Sequence, residues 1–89
     1  LTDNPIARRN LAVAVGEADG ARAGLAALAG LDPALPRHAA AEAYLRERAS
    51  DPEGAARLYA EAAARATDAA ERDHLTRQAA RINERLRGG

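Results

Sequence analysis

The chain has almost nothing large to put in an interior. Phe, Trp, Met and Cys are absent and tyrosine stands only at Tyr44 and Tyr59, so any core must be built from Ala, Leu, Val and Ile. Alanine alone fills 26 of the 89 positions. Sheets draw on β-branched and aromatic side chains, whereas alanine is the best helix former, and its small methyl lets neighbouring backbones come close. The expected fold class is therefore all-α, with closely stacked helices. Eighty-nine residues support one core and not two, so residues 1–89 are read as a single domain.

The charge balance narrows the function classes. All 13 basic residues are arginine and are matched by 13 acids, so no net field draws the domain to nucleic acid or anionic lipid. Without cysteine there are no disulfides and no thiol chemistry, which suits a cytoplasmic setting. No apolar run approaches the ~20 residues that span a bilayer, and no signal peptide is recognisable. The chain opens at Leu1 rather than a methionine, and a piece of a longer polypeptide is expected.

Proline and glycine divide the chain into about five helices. Asn4-Pro5 reads as an N-cap followed by a proline at the first helical position, opening a helix to about Glu17 that Asp19-Gly20 breaks. A second helix from Ala21 carries Leu25 and Leu28 on one edge, and Gly30 is placed to end it in the left-handed conformation. The segment from Leu31 to Pro36 holds two prolines and reads as a linker and hinge, with Leu31 and Leu35 tucked against the first hairpin. A third helix runs from about Arg37 to Ala49. Ser50-Asp51-Pro52-Glu53 fits a capping box with Ser50 as the N-cap of a fourth helix reaching about Ala66, whose Ala55, Leu58, Tyr59 and Ala62 form one core-facing stripe. Thr67-Asp68 caps a final helix, about Asp68 to Leu86, with Leu75, Ala79, Ile82 and Leu86 on its apolar face.

A helix pair that cannot bury its own apolar face needs a similar neighbour. The second hairpin, residues 37–66, places Ala43, Ala55 and Ala62 at spacings of twelve and seven, with Tyr59 four beyond Ala55. This resembles the tetratricopeptide pattern, in which small residues let the helices touch and an aromatic ring fills the gap to the next repeat. The first hairpin, residues 4–31, offers Ala12, Gly24, Leu28 and Leu31 at the matching positions, a degenerate version of the same repeat. The helix over residues 68–87 would then cap the array.

The stretch from Asn4-Pro5-Ile6 through Asn10-Leu11-Ala12-Val13-Ala14-Val15-Gly16-Glu17 to Asp19-Gly20 and Ala23-Gly24-Leu25 resembles the start of the C-terminal tetratricopeptide-like extension in a group of bacterial extracytoplasmic-function sigma factors. Later helices match in their Ala, Arg and Leu pattern, and the resemblance spans about residues 4–87. Arg9 stands where that family usually has an apolar residue and Leu11 where it usually has arginine. The resemblance implies sigma regions upstream, and a tail that regulates transcription initiation through contacts with those regions, the polymerase core or a regulator protein. It implies no direct binding of nucleic acid by this domain.

In such a repeat the inner helices line a concave surface, and the register places Arg9, Asn10 and Val13 with Arg37, Tyr44 and Arg48 on it. Arginine and tyrosine are common anchors of interfaces, so these six are the candidate partner-binding residues. The row Arg77, Arg81 and Arg85 reads as a solvated face, since Asp73 and Glu84 dilute it and no aromatic interleaves for base stacking. Glu71 and His74, and likewise His38 and Glu42, share helix faces as metal ligands do, but a di-iron bundle needs further carboxylates from facing helices. Ser50 and Thr67 are engaged as caps and no glycine-rich phosphate loop follows a strand, so no catalytic residue, metal or cofactor is assigned and the chain is not read as an enzyme. A free-standing helical-repeat adaptor unrelated to transcription is the alternative reading, and a small-ligand or metal-binding bundle is a third.

Overall fold

In a computed structural model of the chain, the structure describes residues 5–35 and 37–88. Asn4 as N-cap and Pro36 in the linker lie outside the described residues. The rest forms five helices: α1 (Pro5–Asp19), α2 (Ala21–Ala29), α3 (His38–Arg48), α4 (Pro52–Arg65) and α5 (Ala69–Gly88). Among the described residues there is no strand, and no helix is long and apolar enough to cross a membrane. The fold is all-α, and each expected helix is present within about two residues of its expected ends, the usual fraying of a helix boundary.

Gly20 alone separates α1 from α2, and its φ of +103° is open to a residue without a Cβ. The two helices then run back along each other so closely that a Cβ on Gly24 would meet the Gly16 Cα at 2.8 Å and the Ala12 carbonyl oxygen at 2.9 Å. Gly16 and Gly24 stand four residues either side of Gly20, as an antiparallel hairpin requires. Gly30 does not take the left-handed form expected of it. Its φ is −79°, its N–H donates to the Ala27 carbonyl at 3.4 Å and the Leu31 N–H to the Leu28 carbonyl at 3.0 Å, so the chain leaves α2 by a tightening last turn.

The capping box expected at Ser50 is also replaced. Ser50 N–H donates to the Glu47 carbonyl at 3.2 Å and Asp51 N–H to the Arg46 carbonyl at 2.8 Å, the paired bonds of a Schellman ending on α3. Ser50, at φ +67°, is thus the left-handed residue that closes α3. Asp51 is the N-cap of α4, its carboxylate accepting the Gly54 N–H at 3.1 Å. Pro52 becomes the first helical residue, the position proline suits best. Asp68 caps α5 as expected, accepting from Glu71 N–H at 3.3 Å.

Helices adjacent in sequence pack on one another, and α1 also meets α3, so the order is that of a short repeat array, 46 × 30 × 16 Å in extent. The core has two parts. Ala12, Leu28, Leu31 and Leu45 close the first hairpin onto α3, with Leu25, Leu35, Ala41 and Tyr44 packed at its edge. Ala39, Ala43, Ala55, Ala62 and Tyr59 join Leu75, Ala79 and Ile82 between α3, α4 and α5. Ala43 and Ala55 are fully buried, which is what close approach of the α3–α4 hairpin demands. Leu86, expected on the apolar face of α5, is 42% exposed.

Candidate protein-binding groove

The inner sides of α1, α3 and α5 enclose an open groove of about 590 Å³. Its floor is apolar, made by Val13, Ala40, Ala41, Tyr44 and Leu75, with the Tyr59 ring of α4 at the base. Its rim is charged and balanced: Arg9 and Arg37 come from the α1–α3 side, Asp68 and Glu71 from the α5 side, where His74 also stands. Alanines on the inner face of α3 create this space, because larger side chains there would fill it.

Four of the six candidate residues, Arg9, Val13, Arg37 and Tyr44, line the groove. The other two do not, yet each touches one that does. Asn10 is exposed, a helical step round from Arg9, and accepts a hydrogen bond from the Arg9 guanidinium at 3.3 Å. Arg48 lies one turn beyond Tyr44, its guanidinium 5.7 Å from the centre of the Tyr44 ring, and pairs with Glu17 at 3.5 Å.

Tyr44 is therefore a fixed ring rather than a free one. Its hydroxyl donates to a Glu17 carboxylate oxygen across the gap to α1, and Arg48 covers one face in a cation–π arrangement. The Glu17 hydrogen bond, with burial second, raises the Tyr44 phenol above the ordinary tyrosine value, so it stays a neutral donor at physiological pH. An aromatic ring held in one orientation loses little entropy on contact with a partner.

Sequence reasoning missed the third wall of the groove. Reading α5 as a cap hid its second role as an inner helix, although the Glu71 and His74 spacing was visible and marks the face that α5 turns to the groove. Glu71 is engaged by Arg37 at 3.2 Å, a bar from the start of α3 to the first turn of α5. His38 comes within 4.0 Å of Glu42, while Glu42 accepts from Arg46 at 2.8 Å. Among the described residues no group of three or more His, Asp or Glu side chains is gathered as metal ligands.

The arginine row on α5 is not simply solvated. Arg81 grips Glu47 of α3 through two bonds of 2.8 Å, and Arg85 reaches the same carboxylate at 2.9 Å. Arg77 pairs along its own helix with Asp73 at 2.9 Å. The Arg81 hydrogen bonds hold the Glu47 carboxyl below the ordinary glutamate value. These contacts link α3 to α5 at their C-terminal ends, and the Arg37–Glu71 bar links them at their N-terminal ends.

Comparisons of the chain with protein-family models, curated proteins and solved structures return no match.

Proposed function

We propose that this chain is a protein-interaction module that holds a segment of a partner in the groove between α1, α3 and α5. We take it to be the regulatory tail of a bacterial extracytoplasmic-function sigma factor, acting in the cytoplasm. The observation that supports the first part most is the fixed Tyr44 ring on an apolar floor with Arg9 and Arg37 at the rim, since rigid aromatics and arginines dominate interface energetics. The resemblance of Asn4 to Leu25 to the sigma-factor extension supports the second. The occupant that fits is an amphipathic segment carrying both charges, because the rim sets Arg9 on one side against Asp68 on the other, with Arg37 and Glu71 paired between them. The proposed partners are the upstream sigma regions first, and the polymerase core or a regulator protein otherwise.

Titration calorimetry of the chain against purified sigma regions and polymerase core tests both parts. Tyr44→Ala is expected to weaken binding by about tenfold or more, the loss of one anchor, while Arg77→Ala on the outer face of α5 leaves it unchanged. Equal loss from both substitutions would overturn the groove as the contact surface. Binding to neither target would overturn the transcription role and leave the free-standing adaptor.

A further inference from the structure

A second cleft, of about 310 Å³, adjoins the groove, and Arg37, Ala40, Glu71 and Leu75 line both spaces. The Arg37–Glu71 pair therefore stands on the boundary between them. Leu35, Ala39, Ala62 and Ala66 complete the apolar wall of the cleft. Roughly 150 Å³ between aliphatic side chains is enough to hold a benzene ring, so the cleft has room for one aromatic side chain. Both tyrosines of the chain line the groove rather than the cleft, so a ring that fills it comes from elsewhere.

The boundary opens at small cost. Arg37 Nε lies 3.2 Å from the Glu71 carboxylate, with the arginine side chain 65% exposed, and ion pairs so open to water contribute little. A competing carboxylate can take the place of Glu71. Arg37 is also held at φ +65°, a form that residues with a side chain avoid and that gathers at ligand clamps. Of the two arginines in the cleft wall, Arg65 is paired along α4 with Glu61 at 3.4 Å, and Arg37 is the one that also lines the groove.

We infer that the segment held in the groove carries an acidic residue beside an aromatic one. The carboxylate takes Arg37 from Glu71, and the ring passes the opened boundary into the cleft. Glu71, released, is left for a basic residue of the same segment. This inference rests on the groove reading and adds to it the residue pair by which the occupant is recognised.

The test is a nuclear magnetic resonance titration of the ¹⁵N-labelled chain with three probes: the N-acetylated, amidated dipeptides Asp-Phe, Asn-Phe and Asp-Ala. Asp-Phe is expected to give saturable shifts at the Ala39 and Ala66 amides, which border the cleft and not the groove. Asn-Phe binds about two- to fivefold more weakly, the range of an exposed ion pair, and Asp-Ala does not saturate. Glu71→Gln, which frees Arg37, tightens Asp-Phe by a similar factor, and Arg37→Gln abolishes the difference between Asp-Phe and Asn-Phe. Ala66→Leu, which adds bulk to the cleft alone, removes the saturation. Equal binding of Asp-Phe and Asn-Phe by the parent chain overturns the inference, as does undiminished saturation in a folded Ala66→Leu. Shifts confined to the Val13 and Tyr44 amides overturn it while leaving the groove standing. Saturation at Ala39 and Ala66 in a chain that binds neither the sigma regions nor the polymerase core upholds the cleft and removes the groove's proposed partners.

Discussion

Replacing Gly24 by alanine puts the central packing claim to a direct test. A Cβ at this position meets three backbone atoms: the Gly16 Cα at 2.8 Å, the Ala12 carbonyl oxygen at 2.9 Å and the Gly16 nitrogen at 3.0 Å. Carbon atoms settle at about 3.5–4.0 Å, so α1 must withdraw from α2 by about 0.7 Å or more. No rotamer change can relieve the clash, because none of the three atoms belongs to a side chain. The withdrawal also opens the interface around Ala12 and Leu28, both about 1% exposed. Overpacking of this kind costs about 1–3 kcal/mol. Alanine's better helix propensity returns about 0.5–1 kcal/mol.

The net expectation for Gly24→Ala is a loss of about 1–2 kcal/mol, which for a domain of this size lowers Tm by roughly 4–16 °C. Gly30→Ala is the control. Its φ is −79°, a conformation alanine adopts freely, and its Cβ meets only the Ala27 carbonyl oxygen at an ordinary 3.6 Å, so it should be neutral or stabilising by about 0.4–1 kcal/mol. Urea denaturation followed by circular dichroism reads both variants, with a common m-value showing that the change lies in stability. A Gly24→Ala variant as stable as the parent would refute the close approach of α1 and α2.

Two further substitutions separate the caps at the α3–α4 junction: Asp51→Ala should lower stability by removing the acceptor of the Gly54 N–H, while Ser50→Gly should stabilise by up to about 1 kcal/mol by relieving a left-handed non-glycine residue. Denaturation midpoints decide it, and a destabilised Ser50→Gly would restore Ser50 as the helix cap. Acid should weaken the α3–α5 clamp. The folded-state pKa of Glu47 is lowered, chiefly by the Arg81 hydrogen bonds, so its contribution is present above the unfolded value of about 4.3 and is lost as pH falls through the lowered folded one. Glu47→Gln, discounted for the exposure of both arginines, should cost about 0.5–1.5 kcal/mol at neutral pH. The gap to the parent should close below about pH 4, and a pH-independent gap in urea titrations would rule the ion pair out as its cause.

Much of the fold was legible because this chain is punctuated strongly. Pro5, Gly20 and Pro52 mark helix edges by backbone chemistry that tertiary packing rarely overrides, and the small residues Ala43, Ala55 and Ala62 mark close approach for want of any other use. What stayed hidden depends on partners distant in sequence. Nothing local says that Gly16 faces Gly24, or that Glu47 is held by an arginine 34 residues further on. At Ser50-Asp51-Pro52-Glu53 two local rules competed, and the preference of proline for the first helical position outweighed the spacing of a capping box. Gly30 missed its expected conformation because Leu31 is buried with Leu28 and Leu45, which draws the chain onward in a helical turn instead of reversing it.

The groove was half legible for the same reason. Arg9, Val13, Arg37 and Tyr44 follow from placing two hairpins in register, but the α5 wall requires knowing that the last helix repeats the role of α1 and α3. Its place in the array also explains how the domain spends its only two aromatic rings. With an apolar interior otherwise of alanine, leucine and Ile82, packing alone would bury both. Tyr59 is 6% exposed and joins the core beneath the groove, whereas Tyr44 is only half-buried, held between Glu17 and Arg48 at its surface. A chain with so little bulk to stabilise itself nevertheless keeps one of its two tyrosine rings at the groove wall under fixed geometry, which is the placement the proposed groove contact calls for.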